Sequence, residues 1–279
     1  MKYMKASAVL LCAFCLLLTA CSKVNDNLEN VNSEAVPAGA TITQYQPTET
    51  TTVTTTETTT ETTTEATTVT TYASHEDIPT EFDKTFFEND LFIGDSITTG
   101  FSGYGYISED NVFAKVGLNP ISVLTTPITT PDGDIMINDE IAAKSPERAY
   151  IMLGSNGIEW LDNDKMLSSL DELIKLINNT NSDTKVVVLS VPPVTQECES
   201  KSDTADLNKK ISDYNSSLST YCSENNITYI DISTMLCDEN GYFAEQLAES
   251  DGRHFKGNSY KYVLSLIQRT FDSNEQNEQ

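Results

Sequence analysis

Beyond about residue 82 the sequence predicts an α/β domain of three layers, α/β/α, around a central parallel sheet. Two observations predict it. Short apolar runs recur at 91–93, 112–116, 149–153, 186–191 and 227–232, each the length of a strand buried on both faces. Amphipathic stretches fill the intervals and the end. Met166, Leu167, Leu170, Leu173, Ile174 and Ile177 recur at helical spacing, as do Leu207, Ile211, Tyr214, Leu218 and Tyr221, and then Tyr260, Val263, Leu264, Ile267 and Phe271. Strands that alternate with helices join through right-handed crossovers, which makes the sheet parallel and covers both its faces.

The segments before the domain have a different character. Lysines at positions 2 and 5 precede an apolar run at 6–18, the layout of a secretory signal at residues 1–20. The run is shorter than the roughly 18 residues of a membrane span. It ends Leu18-Thr19-Ala20-Cys21, which resembles the lipobox of bacterial lipoproteins. By that resemblance cleavage precedes Cys21, and its thiol carries diacylglycerol. The other reading is a non-lipidated signal peptide with an incidental cysteine. Residues 21–80 carry no apolar periodicity, and 48–71 are almost entirely threonine with interspersed glutamate. Such a stretch cannot bury enough apolar surface to offset its ordering entropy, so it reads as a disordered stalk. The domain itself spans 81–272, and 273–279 read as a polar, frayed tail.

Charge narrows the function. The 279 residues include 42 acidic and 17 basic ones, a formal net charge of −25. Nucleic acid is a poor partner for such a surface, since phosphate backbones are held by clustered Lys and Arg. Electrostatic docking on anionic lipid is disfavoured for the same reason. With only His75 and His254 in the chain, a multi-histidine metal centre is ruled out, and no metal or organic cofactor is expected. His75 lies at the end of the stalk, where a catalytic geometry is hard to hold.

The residues that carry chemistry sit at strand ends. Gly94-Asp95-Ser96 follows the run at 91–93, and a serine at a strand-to-helix turn faces the carboxyl edge of the sheet, where open α/β sheets bind ligands. The first N–H groups of the next helix lack intrahelical partners and suit an anion. Taken alone, Asp-Ser is also the pair of an ordinary helix cap. A nucleophilic serine needs a base, a group to orient that base, and oxyanion donors. His254 is the only histidine within the domain, and Asp251, three residues earlier, is within reach of one imidazole nitrogen across a tight turn. Gly154-Ser155-Asn156-Gly157 follows the run at 149–153 and offers the Asn156 amide as a donor; Gly117, after 112–116, offers its N–H. Each has a plainer reading: Asn156 and Gly117 as turn residues, and Asp251 with His254 as a structural pair at a helix start. Trp160, the only tryptophan, is either a wall of the cleft or a core side chain.

These four pieces, in this order, resemble the SGNH (GDSL-type) hydrolase family. Gly94-Asp95-Ser96 matches its first block, Gly117 the second, Gly154 with Asn156 the third, and Asp251 with His254 the last. The resemblance implies a flavodoxin-like fold, with Ser96 as nucleophile, His254 as base and then acid, and Asp251 as its orienting partner. It implies an oxyanion hole from the Ser96 and Gly117 N–H groups and the Asn156 side chain, and ester hydrolysis through an acyl-enzyme. Two departures stand out: Gly157 replaces the aspartate of the family's Gly-x-Asn-Asp block, and Thr98 and Thr99 replace apolar residues after the serine.

A lipid-anchored, extracytoplasmic protein on a long stalk meets cell-surface or extracellular polymers. The leading expectation is therefore a serine esterase acting on acyl, above all acetyl, groups of polysaccharide, held to the membrane at Cys21. A lysophospholipase or thioesterase needs the same triad. A non-catalytic glycan-binding lipoprotein is the reading from another class, kept open by Gly157. Of the domain's cysteines, Cys222 completes the apolar face of its helix and reads as buried; any pairing among Cys198, Cys222 and Cys237 is left open.

Overall fold

The computed structural model describes residues 79–277. The signal at 1–20, Cys21, His75 and all but the end of the stalk lie outside the described residues. In chain order, β1 (Leu91–Gly94) leads into α1 (Ser96–Gly103) and β2 (Val112–Ala114). A hairpin of β3 (Ile128–Thr130) and β4 (Gly133–Ile135) follows, then α2 (Ile137–Lys144) and β5 (Arg148–Met152). Next come α3 (Asn163–Thr180), β6 (Lys185–Leu189), α4 (Gln196–Lys201) and α5 (Leu207–Glu224). The chain closes with β7 (Thr228–Ile230), α6 (Ser233–Leu236) and α7 (Gly257–Asn277). The central sheet has the order β2-β1-β5-β6-β7, and every neighbouring pair is parallel.

Strand periodicity splits the core into two. Leu91, Ile93, Ala149, Ile151, Val188 and Tyr229 point to the face covered by α2, α3 and α5, where Ile141, Leu170, Leu173 and Ile211 meet them. Phe92, Tyr150, Met152, Val187, Leu189 and Ile230 point to the face covered by α1 and α7. Successive residues of each strand therefore serve opposite layers, which is why the runs are apolar throughout and not alternating. The α1/α7 face is aromatic. Phe92 stacks on Tyr150 at 4.7 Å and lies 4.8 Å from Phe101, which meets Tyr260 edge-on at 5.0 Å. The Tyr260 hydroxyl donates to the Ile97 carbonyl at 2.8 Å, and a Cβ on Gly100 would come within 1.9 Å of that hydroxyl. Helix α7 is thereby keyed against α1, the helix that begins with Ser96.

Several boundaries differ from the sequence expectation. The second strand ends at Ala114, because Lys115 and Val116 enter a turn closed by the Leu118 N–H on the Lys115 carbonyl. Gly117 occupies the third position of that turn at φ +81°, where a side chain would be strained. Val116 is consequently 78% exposed. The runs to 153, 191 and 232 also overshoot their strands; Leu153, Val191 and Ile232 leave the ladder but remain buried beneath the loops at its carboxyl edge. Helix α7 continues to Asn277, so of the expected frayed tail residues 273–277 are helical, and 278–279 lie outside the described residues.

Candidate active site

Strand order decides where the functional side chains converge. After β1 the chain moves to β2 on one side, and later to β5 on the other, so the carboxyl end of β1 lies where the order reverses. Ser96 leaves β1 there, Gly117 follows β2, Asn156 follows β5, and Asp251 and His254 stand between α6 and α7.

The structure brings Ser96, His254 and Asp251 into one chain of hydrogen bonds. Ser96 Oγ lies 2.9 Å from His254 Nε2, and His254 Nδ1 lies 2.5 Å from Asp251 Oδ2. The second carboxylate oxygen of Asp251 accepts the backbone N–H groups of Arg253 at 2.9 Å and His254 at 3.0 Å. Partial burial works to raise the Asp251 pKa, but these N–H groups and the imidazole outweigh it and hold the carboxyl down at about 2. Asp251 thus stays ionised and fixes Nδ1–H as the donor, leaving Nε2 to face the serine. Gly252, at φ +71°, makes this turn possible: a Cβ there would stand 2.2 Å from Thr195 Oγ1. The Thr195 N–H donates to the Gly252 carbonyl at 3.0 Å and docks the turn on the loop after β6.

Asp95 caps α1 by accepting the Ile97 N–H at 3.0 Å. It is 1% exposed, and its other oxygen accepts Asn156 Nδ2 at 3.2 Å while the Ser155 side chain bonds to it as well. Burial pushes its carboxyl up to about 6, against the pull of the Ile97 N–H and His254. It takes no part in the Ser96–His254–Asp251 chain. Asn156 Nδ2 also donates to the Leu118 carbonyl at 3.2 Å, so its amide spans from the loop after β1 to the Gly117 turn. The Gly117 N–H makes no hydrogen bond among the described residues, and the Ser96 N–H, first in α1, has no intrahelical partner. All three oxyanion candidates therefore lie on segments that the Asp95–Asn156–Leu118 bonds tie together.

The departures from the family pattern have physical causes. Gly157 is buried, and a Cβ there would come within 2.6 Å of Met166 Sδ and 2.9 Å of Leu161, so an aspartate would have to displace these side chains and set its carboxylate among apolar groups. Thr99 Oγ1 turns back to the Ser96 carbonyl at 2.7 Å, while Thr98 is buried with its hydroxyl unpartnered. Trp160 is 68% exposed, which removes the core reading. Cys198, Cys222 and Cys237 are free thiols; Cys222 is buried, as its helical position implies, and burial pushes its thiol up to about 12.

Sequence reasoning missed the pocket beside the triad and what holds it. A cavity of about 30 Å³ is lined by Ile97, Ile158, Arg253 and the segment Val191–Pro192–Pro193–Val194, with Leu207 and Ile211 behind. Two asparagines of α5 fasten that segment. Asn215 exchanges paired bonds with the Val191 backbone, both at 2.8 Å, and Asn208 does the same with Val194 at 2.8 and 3.0 Å. Asn215 lies on the buried face of α5 with Ile211, Tyr214 and Leu218, and Asn208 is half-buried near the helix start; a polar residue on such a face does not name its partner, so the pattern did not point to these bonds. Arg253 Nη2 pairs with Glu159 Oε1 at 2.6 Å across the same region.

This fold is that of hydrolases acting on esters. The chain belongs to the GDSL-like lipase/acylhydrolase family, whose model matches residues 92–262. No curated protein matches the sequence significantly. Solved structures share the fold at low identity. A GDSL-like lipase from Bacteroides thetaiotaomicron superposes with a TM-score of 0.52 at 17% identity, over 72% of this chain and 94% of its own. A protein assigned as an acylhydrolase from Bacteroides fragilis gives 0.52 at 18%, over 72% and 93%. One assigned as a platelet activating factor from Streptococcus pneumonia gives 0.53 at 18%, over 65% and 82%.

Proposed function

We propose that the protein is a serine esterase that removes short acyl groups, above all acetyl, from O-acylated polysaccharide outside the cytoplasm, tethered through lipid at Cys21. The observation that carries the esterase reading is the unbroken hydrogen-bond chain from Ser96 Oγ through His254 to Asp251. In this mechanism His254 Nε2 takes the serine proton as Oγ attacks the ester carbonyl. The negative charge moves to the carbonyl oxygen, where the Ser96 and Gly117 N–H groups meet it together with Asn156 Nδ2, which exchanges its bond to the Leu118 carbonyl for one to the oxyanion. His254 then returns the proton to the leaving alkoxide, and the sugar hydroxyl departs. Water, deprotonated by His254, attacks the acyl-serine and releases the carboxylic acid, restoring Ser96. Asp251 stays ionised throughout and stabilises the imidazolium.

The cavity beside Ser96 is small, about 30 Å³, and walled mainly by apolar side chains, which supports a short acyl group. The acidic chain, with its net charge of −25, supports a substrate other than anionic lipid. A long threonine-rich segment ahead of the domain supports a reach to polymer beyond the membrane. The test is Ser96→Ala on para-nitrophenyl acetate and acetylated xylan: turnover falls by at least roughly 10⁴-fold. A fluorophosphonate probe labels the wild type, and labelling disappears in both Ser96→Ala and His254→Ala. Undiminished turnover in Ser96→Ala removes the assignment, and failure of the wild type to label leaves a binding protein.

A further inference from the structure

Arg253 is the one charged side chain in the lining of the cavity beside Ser96; the other walls are Ile97, Ile158, the Val191–Val194 segment and the helix α5 residues, with Ser155 at the edge. A guanidinium beside apolar walls is costly unless paired. Glu159 provides the partner at 2.6 Å, and the Cys198 side chain makes a further contact. The two paired side chains are 36% and 32% exposed, and Arg253 belongs to the cavity wall while Glu159 stands outside it, so the bridge runs from that wall toward solvent. It also joins two otherwise separate segments. Glu159 stands three residues beyond Asn156, and Arg253 directly precedes His254.

The walls behave differently from this bridge. The far side is pinned by the Asn208 and Asn215 bonds to backbone, and the near side by the Asp95 network. The Arg253 backbone N–H is itself held by Asp251, the carboxylate that orients His254. What can give way is the side-chain bridge, because a half-exposed ion pair is held by little net free energy.

We infer that the Arg253–Glu159 pair is a clasp across the acyl pocket that sets the length of acyl group the enzyme accepts. This rests on the esterase reading above. Acetyl and propionyl groups fit beneath the clasp; longer chains have to part it. Arg253 and Glu159 are thus specificity-determining residues, acting on the acyl and not on the alcohol side of the ester.

The experiment is an acyl-length series of para-nitrophenyl esters, from acetate through butyrate to hexanoate, on the full domain with Glu159→Gln and Arg253→Met. The wild type loses kcat/KM steeply with length, by roughly tenfold or more per step that no longer fits. Either variant raises the ratio of hexanoate to acetate turnover by about tenfold, the worth of a methylene or two in an apolar pocket. High salt, which screens a half-exposed pair, shifts the wild-type ratio in the same direction without any substitution, so the result does not depend on how well a variant folds. An unchanged ratio in both variants and in salt overturns the clasp while leaving the esterase intact. So does a wild type that prefers hexanoate. A wild type that cleaves none of the esters and does not react with the fluorophosphonate overturns the esterase reading and the clasp with it.

Discussion

Asp95→Asn should make the protein more stable at neutral pH and less active. The Asp95 carboxyl is 1% exposed, and its pKa is pushed up to about 6 in the fold from an ordinary 3.8. The difference, 6 − 3.8, is about 2.2, and each unit corresponds to about 1.4 kcal/mol, so the buried charge costs the fold about 3 kcal/mol near neutrality. For an acid whose folded pKa is raised, stability is fully present below 3.8 and is lost as pH rises through about 6. An asparagine keeps an oxygen for the Ile97 N–H but turns its amide toward the Asn156 amide, leaving buried N–H donors unmatched at a cost of about 1–3 kcal/mol. The net gain is at most about 2 kcal/mol at about pH 7.5, up to roughly 4–8 °C in Tm for a domain of this size. At about pH 4 the gain vanishes or reverses, because Asp95 is then neutral in the wild-type fold. Urea unfolding of both proteins at the two pH values measures this directly. Asp90 also carries a raised pKa, but it is common to both proteins and cancels from the difference. Meanwhile esterase turnover falls by up to about 10²-fold, since Asn156 loses the acceptor that aims it. An equal stability difference at both pH values, or a variant destabilised at pH 7.5, would refute the argument that Asp95 is held ionised at a cost.

Asn156→Ala should lower kcat by roughly 10²–10³-fold with little change in KM, as expected for loss of one oxyanion donor; steady-state kinetics on para-nitrophenyl acetate decide it, and a fall confined to KM would move Asn156 from the oxyanion to substrate binding. Arg148→Met strips the ion pair from Asp90, whose side chain is fully buried, and should destabilise by about 3–5 kcal/mol near neutrality and by less below about pH 6, where Asp90 takes up a proton. Because that pair lies at the opposite edge of the sheet from Ser96, activity per folded molecule should be unaffected; urea unfolding and active-site titration check the two halves.

The layers were legible because the strands are apolar on both faces, and only a sheet sandwiched between helices makes such runs. Ser96, Asn156 and Gly117 were legible because each sits just beyond an apolar run, and Asp251 with His254 because the domain holds a single histidine with an acid three residues before it. What the pattern concealed is equally physical. The β3–β4 hairpin is half-exposed and polar, with Thr129 facing Asp134, so it has no apolar run to betray it. Strand ends were overread because Leu153, Val191 and Ile232 are buried without being in the ladder, and burial is all that composition can sense. The ends of the acyl pocket depend on contacts such as Asn215 with Val191 and Arg253 with Glu159, whose partners are 24 and 94 residues apart. No local period encodes such pairs.

The two edges of the sheet argue for the site independently of any motif. At the amino edge Asp90 is buried, but Arg148 and Tyr150 meet its carboxylate, and Arg148 also reaches the Phe86 carbonyl and lies over the Phe86 ring at 4.0 Å. A cation meets that charge, yet burial still pushes the Asp90 carboxyl up to about 6. At the carboxyl edge Asp95 is buried with neutral partners, and its nearest cation-capable group, His254, is committed to Ser96 and Asp251. Among the described residues three buried side-chain polar atoms lack a partner, and two of them underlie this edge. Thr98 Oγ1 sits against Gly94, and the Tyr214 ring packs against Gly154, whose φ of +152° a side chain rarely adopts. Unmatched buried polar groups cost stability, and a fold keeps them where function requires them. Both edges thus hold a buried carboxylate pushed up to about 6, but only the amino edge sets a guanidinium against it. Beneath Ser96 the partners are amide, hydroxyl and backbone donors, an arrangement that suits holding Asn156 in place to meet a charge that appears only during reaction.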